Sequence, residues 1–243
     1  MKIMIIKSKR WFTVISVIIA CAGSGKRMKT EKNKILLEIN GKSILQYTCE
    51  KFIACSQISE IILVVSEVDF TTIKDLAEKI IIDKPYKIVI GGSERQYSIR
   101  NALQEISSDS EIVLIHDGAR PLVTTNTINK LIKEVNENSC AIVGVKVKDT
   151  IKVVDDYNIV CSTPRREYLW SIQTPQGFKV DIIKKAYQQA VQEGFLGTDD
   201  ASLVEKINMP VKVIEGEYTN LKVTTPEDLK IIETLLENEV QNV

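Results

Sequence analysis

The sequence predicts an α/β fold in which a mostly parallel sheet is flanked by helices. Short apolar, β-branched runs alternate with helix-like segments at the spacing typical of βαβ units. The residues best suited to chemistry come directly after these runs, where the strands of a parallel sheet end. The chain has 243 residues, of which 44% are apolar, and this is enough to bury one sizeable core.

Charge and cysteine content argue against several classes of protein. The 32 basic and 32 acidic residues balance, so no overall field attracts nucleic acid or an anionic membrane. The five cysteines form no C-x-x-C pair, so we expect reduced thiols in the cytoplasm rather than a disulfide framework or a zinc site. Basic residues before an apolar run ending at Cys21 resemble a secretory signal, but cleavage there would remove the first strand. We expect residues 1–10 to be an extension and residues 11–243 to form one domain.

The first half of the chain supplies most of the predicted elements. Val14 to Cys21 is almost entirely β-branched or small and apolar, which is typical of a strand buried on both faces. A short apolar segment, Ile35 to Ile39, ends at the Asn40-Gly41 turn, and Ser43 is suited to cap a helix to about Cys55. The strands and helices that follow are Ile61 to Val65 (strand), Phe70 to Ile80 (helix), Tyr86 to Ile90 (strand), Ser93 to Ile106 (helix), Ile112 to Ile115 (strand), Thr127 to Val135 (helix) and Ala141 to Val147 (strand).

The pattern changes at Asp149. Thr150 to Val154 and Ile159 to Ser162 flank a polar turn, which predicts a hairpin with no helix between its strands. We call residues 149–170, approximately, the arm. A hairpin that projects from a sheet is marginally stable alone, so a second subunit is the natural candidate to pack on it.

The chain then returns to the domain. The predicted elements are Ile172 to Thr174 (strand), Lys179 to Glu193 (helix), Thr198 to Lys206 (helix) and Val211 to Glu215 (strand). The last helix opens at Thr225-Pro226, with a capping hydroxyl, a proline at the first helical position and acids facing the helix dipole.

The segment A-G-S-G-K-R-M, directly after the first strand, has the chemistry of a phosphate-binding loop. Gly23 and Gly25 permit a tight turn with exposed N–H groups, and Arg27 and Lys34 add positive charge. The segment is neither the ATPase phosphate loop, whose first glycine is replaced here by alanine, nor the dinucleotide fingerprint, whose third glycine is replaced by methionine. It is typical of nucleotidyltransferases.

Four further groups of polar residues follow predicted strands, and they are Gly91 to Ser98, Asp117 to Arg120, Lys148 to Thr150, and Lys222. Because the carboxyl ends of parallel strands meet at one edge of a sheet, we expect all five groups to converge on one cleft.

Together these segments resemble a known family. The motifs A-G-S-G-K-R-M, T-E-x-x-K, G-G-S-E-R-x-x-S, H-D-G-A-R-P, K-D-T-I-K, T-P-x-R-x-x-L-W-x-x-Q-T-P-Q-x-F, T-D-D-A-S and N-L-K-V-T-x-P-E-D-L follow the order seen in the 2-C-methyl-D-erythritol 4-phosphate cytidylyltransferases of the non-mevalonate isoprenoid pathway. The resemblance spans about Val14 to Leu236. It implies a Rossmann-like domain, a homodimer made through the arm, a requirement for Mg²⁺, and transfer of CMP from CTP to methylerythritol phosphate with release of pyrophosphate.

The resemblance also implies residue roles. Arg27 and Lys34 would hold the triphosphate and stabilise the charge on the α-phosphorus, and Lys222 would join them there. The nucleotide pocket would be formed by Ala22, Gly23, Ser24, Gly25, Gly92, Ser93, Ser98 and Asp117, with Asp117 on the ribose or on the metal. The acceptor pocket would be formed by Asp117, Gly118, Arg120, Thr198 and, from the partner's arm, Thr150 and Arg166.

Some positions depart from the family pattern or have ambiguous roles. An aspartate is common where Ser93 stands, and Asn33-Lys34-Ile35 replaces the usual P-K-Q, so the local backbone can differ. Arg165 competes with Arg166 for the arm role, although the spacing to Leu169-Trp170 favours Arg166.

Three further side chains resemble catalytic groups. His116, the one histidine, is expected to orient the Asp117 turn, because an attacking phosphate needs no general base. Asp199 and Asp200 suit either a metal or a helix dipole.

Two other functions are compatible with the same motifs. A ribitol 5-phosphate cytidylyltransferase would share the glycine loop, the lysines and the aspartate turn, but the Leu169-Trp170 pair before Q-T-P-Q favours methylerythritol phosphate. A nucleotide-binding regulatory protein without catalysis would not need Arg27, Lys34 and Lys222 near one phosphorus.

Overall fold

The computed structural model describes residues 13–23 and 33–241. Its strands are β1 (Val14–Ala20), β2 (Glu38–Ile39), β3 (Lys42–Ser43), β4 (Glu60–Val65), β5 (Tyr86–Ile90), β6 (Ser110–Asp117), β7 (Cys140–Lys146), β8 (Val153–Val154), β9 (Val160–Ser162), β10 (Trp170–Lys179) and β11 (Lys212–Glu215). Its α-helices are α1 (Ile44–Ala54), α2 (Phe70–Ile80), α3 (Arg95–Glu105), α4 (Thr125–Asn138), α5 (Val180–Gln192), α6 (Asp200–Lys206) and α7 (Pro226–Gln241). None of these helices is long and apolar enough to cross a bilayer.

The central sheet has seven strands in the order β11-β7-β10-β6-β1-β4-β5. All neighbouring pairs are parallel except those of β10, which runs antiparallel to both β6 and β7. The predicted mostly parallel α/β sheet is therefore confirmed. In the register of β1 on β6, Ala20 lies beside Asp117, so the carboxyl ends of both strands open at the same edge of the sheet.

Apolar layers cover both faces of the sheet. Helices α1, α2, α4 and α7 supply buried side chains on one face, and α3, α5 and α6 supply them on the other. Strand β1 contributes Ile15, Val17 and Ile19 to the first layer and Ile18 to the second, as expected for a central strand buried on both sides. The run that resembles a secretory signal thus ends in the middle of the core.

Strand β10 is the main difference from the predicted elements. It has ten residues, whereas the sequence indicates a strand only at Ile172 to Thr174. The polar side chains of Gln173, Thr174 and Gln176 conceal it in the sequence, yet all three are buried and hydrogen-bonded to neighbouring segments. Hydrogen bonds offset the cost of burying these polar side chains. Hydrophobic periodicity does not reveal such bonds, so the sequence pattern underestimates the strand.

The hairpin of the arm is present as a separate two-stranded ladder of β8 and β9. A turn joins the two strands, with Asn158 at a φ of 62°, a left-handed conformation that asparagine tolerates. Residues 149–163 are all exposed, including Tyr157 at 85% and Ile159 at 64%.

Candidate active site

A cleft of about 480 Å³ opens at the carboxyl edge of the sheet, between the ends of β1, β5 and β6. The residues that line it are Ala20, Cys21, Ala22, Gly23, Lys34, Ile35, Gly92, Ser93, Glu94, Arg95, Ser98, Asp117, Ala119 and Lys222. Four of the five groups predicted to converge contribute lining residues, as the rule for ligand sites in open α/β sheets requires. The fifth group, Lys148 to Thr150, does not line the cleft of its own chain, so that part of the prediction is wrong.

A glycine turn after β5 forms one wall of the cleft. The Gly92 N–H donates to Ser98 Oγ at 3.0 Å, and this hydroxyl lies 3.0 Å from the Glu94 carbonyl oxygen, to which it donates. A Cβ on Gly91 would lie 2.7 Å from Ser98 Oγ and 2.8 Å from Ala22 Cβ. Only glycine therefore allows this turn to pack against both α3 and the residues that follow β1.

Lys34 reaches the cleft from a short 3₁₀ turn, Lys34–Leu36, that Asn33 caps. The Lys34 Nζ donates to the Val223 carbonyl oxygen at 2.7 Å, which places its ammonium group next to the segment that carries Lys222. Asn33 Nδ2 donates to the Cys21 carbonyl oxygen at 3.2 Å and to Asp69 Oδ2 at 2.8 Å. Asn33 therefore ties the entry and exit of the segment between residues 23 and 33.

Asp117 is the electrostatic centre of the cleft. Its Oδ2 lies 2.7 Å from Lys222 Nζ and 3.8 Å from Arg120 Nε, and its Oδ1 lies 3.5 Å from Arg95 Nε. Burial alone would raise the pKa of Asp117, but the charges of Arg95, Lys222 and Arg120 outweigh it and hold the pKa well below its usual range. The carboxylate is therefore ionised, and the cations around it outnumber it.

A ring of hydrogen bonds holds the Asp117 turn from beneath. The Asp117 N–H donates to Thr174 Oγ, and the Thr174 hydroxyl lies 3.0 Å from His116 Nδ1. His116 Nε2 lies 3.1 Å from the Arg120 carbonyl oxygen, which can only accept, so this nitrogen carries the proton. Burial lowers the pKa of His116 to about 4, and the ring is neutral near pH 7. This geometry matches the predicted orienting role of His116.

The donor set suits magnesium only in company with a substrate. Among the described residues, no three His, Cys, Asp or Glu side chains lie close enough to hold a metal by themselves. Mg²⁺ at nucleotide sites is typically bound by one or two carboxylates and by substrate phosphates. Asp117 provides one such carboxylate in the cleft.

Comparison with known proteins identifies the family. The family model described as 2-C-methyl-D-erythritol 4-phosphate cytidylyltransferase matches residues 15–238. The chain belongs to this cytidylyltransferase family. A protein with that name from Caldanaerobacter subterraneus subsp. tengcongensis is 49% identical over 224 residues, which cover 91% of this chain and 98% of the relative. Another with that name, from a Nostoc species, is 44% identical over 90% of this chain and 96% of the relative.

Solved structures of the cytidylyltransferase family have the same fold. The 4-diphosphocytidyl-2C-methyl-D-erythritol synthase from Anaerococcus prevotii is 37% identical, with a TM-score of 0.84 over 93% of this chain and 96% of that one. The 2-C-methyl-D-erythritol 4-phosphate cytidylyltransferase from Thermus thermophilus is 27% identical, with a TM-score of 0.74 over 92% and 98% of the two chains. The resemblance seen in the motifs is therefore confirmed.

The structure brings together all of the described residues predicted for the nucleotide and for catalysis. The cleft-lining members of that set are Ala22, Gly23, Lys34, Gly92, Ser93, Ser98, Asp117 and Lys222. Ser24, Gly25 and Arg27, like the extension at residues 1–10, lie outside the described residues.

The residues predicted for the acceptor pocket are less concentrated. Gly118 and Arg120 belong to the Asp117 turn but do not line the cleft, and Arg120 Nη1 donates to the Asn220 carbonyl oxygen at 2.7 Å. Thr150, Arg166 and Thr198 are exposed and do not line the cleft of their own chain. The residues predicted for the acceptor therefore do not form a single pocket within one chain.

The prediction that α6 begins at Thr198 is wrong, because its first residue is Asp200. Asp199, not Thr198, is the N-cap, because its Oδ1 accepts from the Ser202 N–H at 2.9 Å and Ser202 reciprocates. The other oxygen of Asp199 accepts from Gln176 Nε2 at 2.7 Å. Asp199 is thereby committed to the helix end, as its alternative interpretation proposed.

Arg95 lines the cleft, although the sequence predicts no role for it. Arg95 is the first residue of α3, and an arginine at a helix N-terminus is unfavourable for the helix dipole unless carboxylates compensate. An arginine at the start of a helix is therefore the feature of the sequence that could have indicated a functional role for Arg95. Asp117 and Asp200 supply the compensation.

Proposed function

We propose that the protein transfers CMP from CTP to 2-C-methyl-D-erythritol 4-phosphate, giving 4-diphosphocytidyl-2-C-methyl-D-erythritol and pyrophosphate. A phosphate oxygen of the acceptor forms a bond to the α-phosphorus of CTP, and the bond from that phosphorus to the β-phosphate oxygen breaks in line. Membership of the cytidylyltransferase family, together with the convergence of Lys34 and Lys222 on one cleft, carries this proposal.

The reaction needs positive charge more than proton transfer. The attacking phosphate is already an anion, and the neutral, buried His116 serves the turn beneath the cleft instead. Lys34 and Lys222 stabilise the negative charge that accumulates on the α-phosphoryl group, and Arg27 acts with them. The Val223 carbonyl contact of Lys34 keeps its ammonium group close to the chain segment of Lys222.

The nucleotide lies between the residues that follow β1 and the glycine turn after β5. Backbone groups of Ala22, Gly23, Ser24 and Gly25 approach the phosphates, while Gly92 and Ser93 face the edge of the cytosine. Ser98 shapes the turn that presents them, because its hydroxyl bonds to the Gly92 N–H. Asp117 contacts the ribose or holds Mg²⁺, which neutralises part of the triphosphate charge when bound.

The acceptor pocket is completed by a second subunit. Thr150 and Arg166 on the arm of one protomer reach the cleft of its partner, where Arg120 and Thr198 contribute from the main domain. Arg165 forms an ion pair with Glu167, whereas Arg166 Nη1 contacts the Lys148 carbonyl oxygen at 2.8 Å. Arg166 therefore has the less compensated charge, which favours it for a phosphate. The exposed apolar residues of the hairpin become buried in this homodimer. We place the enzyme in the cytoplasm, where the thiols stay reduced.

Pyrophosphate release tests the proposal. Purified protein with Mg²⁺ is supplied with CTP, UTP or ATP, each with methylerythritol phosphate or ribitol 5-phosphate as acceptor. We expect release only with CTP and methylerythritol phosphate. Turnover with ribitol 5-phosphate would reassign the acceptor pocket, and folded protein that binds CTP but releases nothing would point to a regulatory function.

A further inference from the structure

Arg95 bridges two carboxylates at the edge of the cleft. Its Nη2 lies 2.7 Å from Asp200 Oδ2, and its Nε lies 3.5 Å from Asp117 Oδ1. Asp200 is completely buried, and its other oxygen, Oδ1, accepts a hydrogen bond from the Tyr187 hydroxyl at 2.5 Å. A continuous chain of polar contacts thus runs from Tyr187 on α5, through the first residue of α6, to the carboxylate at the centre of the cleft.

Each buried polar group in this chain of contacts has a hydrogen-bonding or charged partner. A buried carboxylate is costly unless it is paired and hydrogen-bonded, and both oxygens of Asp200 have partners. Burial, reinforced by the Asp200 carboxylate, raises the pKa of Tyr187 well above its usual value, so the phenol keeps its proton and can donate. Tyr187 and Asp200 do not line the cleft, whereas Arg95 and Asp117 do.

We propose that Tyr187 and Asp200 are positioning residues for Asp117, and that they act through Arg95. This inference rests on the proposed function, in which Asp117 contacts the ribose or its magnesium ion. With Asp200 holding one end of the guanidinium, Arg95 meets Oδ1 of Asp117 and leaves Oδ2 for Lys222. The arrangement therefore fixes the orientation of the carboxylate and, with it, the place of a catalytic lysine.

Replacing Tyr187 by phenylalanine removes only the hydroxyl. We expect Tyr187→Phe to raise the KM for CTP, and the calorimetric Kd for Mg²⁺-CTP, by about threefold to tenfold, because the released Asp200 and Arg95 no longer hold Asp117. The matched control is Tyr47→Phe, which also loses one tyrosine hydrogen bond, to the Ile39 carbonyl oxygen, at a residue that does not line the cleft.

A double-mutant cycle separates positioning from general support of the fold. Lysine cannot bridge both carboxylates, so Arg95→Lys should itself raise the KM for CTP, and Tyr187→Phe should then add less than about twofold. Asp200→Asn replaces Arg95→Lys in the cycle if that variant does not fold. Effects that multiply in the double variant, or a folded Tyr187→Phe protein that binds CTP as the wild type does, would overturn the inference. Wild-type protein that neither binds nor turns over CTP would instead overturn the proposed function, and this inference with it.

Discussion

The floor of the cleft and the arm are built in opposite ways. Asp117 has a side chain only 11% exposed and lies within reach of three cations, and the His116 beneath it is wholly buried. The hairpin of the arm, in contrast, exposes Tyr157 and Ile159, and among the described residues its two short strands pair with each other and with no other strand. The floor of the cleft is therefore completed by one chain, while the arm presents a surface that one chain leaves uncovered within its described residues.

The difference in burial suits the cleft and the arm to different functions. A site that must align a triphosphate benefits from groups whose positions are already fixed, because no reorganisation is then needed during the reaction. If the arm packs on a second subunit, as proposed above, its apolar side chains stay exposed until that subunit binds. The expected results of mutation therefore differ in kind, and each of the following predictions tests one side of the comparison.

Loss of a cleft cation should have the largest effect. Lys34→Ala removes the ammonium group beside Val223 and should reduce kcat by about a hundredfold to a thousandfold, with a smaller change in CTP affinity. Steady-state kinetics and CTP calorimetry measure the two quantities. The matched control is Lys133→Ala, whose side chain is 78% exposed on α4. An equal loss of affinity and kcat/KM at unchanged kcat would contradict a role in stabilising the transition state.

The buried imidazole of His116 beneath the cleft should make the free energy of unfolding depend on pH. His116 has a pKa of about 4 in the folded protein against an ordinary 6.5, so between these values the unfolded chain binds a proton that the folded one does not. The free energy of unfolding should therefore fall by about 3 kcal/mol from this residue as the pH drops from about 6.5 to about 4.

Urea unfolding at several pH values measures this dependence. His116→Gln cannot titrate, and because the chain has one histidine, the difference between the two proteins isolates the contribution of His116. Parallel curves for wild type and His116→Gln would contradict the burial of a neutral imidazole.

The elements on each side of this comparison differ in how far the sequence predicts them. The convergence of Lys34, Asp117 and Lys222 follows from topology, since strand ends of a parallel sheet share an edge. The pairing of Arg95 with Asp200 could not be predicted, because it joins distant parts of the chain through the mutual placement of α3 and α6. Strand β10 was underestimated because its polar side chains are satisfied by tertiary hydrogen bonds.

The hairpin of the arm was predicted from two short segments that flank a polar turn, and the structure contains the hairpin. The proposal that a second subunit covers the arm does not follow from the local pattern, because exposed apolar residues mark a candidate interaction surface without specifying a partner. Arg166, which lies on the arm but is proposed to act in the cleft of a partner, therefore gives the most direct test of the difference between the two regions.

Arg166→Ala should raise the KM for methylerythritol phosphate by about tenfold to a hundredfold and leave the KM for CTP nearly unchanged. Mixing it with Lys34→Ala tests whether the arm acts on the partner. If it does, a heterodimer has one site with both residues intact, and an equal mixture should regain about a quarter of the wild-type activity at subsaturating acceptor. Activity no higher than the average of the two separate variants would place Arg166 in its own subunit's site or outside both. Arg165→Ala is the matched control.

The smallest effect concerns the residue that replaces the family proline. The φ of Asn33 is −58°, which a proline ring also adopts, so Asn33→Pro should preserve the backbone while losing the contacts to Cys21 and Asp69. We expect Asn33→Ala to lower the free energy of unfolding by about 1 kcal/mol, and Asn33→Pro to lose less, because proline restricts the unfolded chain.

Both Asn33 variants should raise the KM for CTP by about twofold to fivefold, because the segment between residues 23 and 33 loses the side chain that ties its ends. Neither should change the KM for methylerythritol phosphate or the oligomeric state measured by light scattering, since the arm lies elsewhere. A change in the acceptor KM as large as that in the CTP KM would mean that the two regions are coupled through the loop. The cleft and the arm would then form one continuous site, in which the arm responds to how the nucleotide is held.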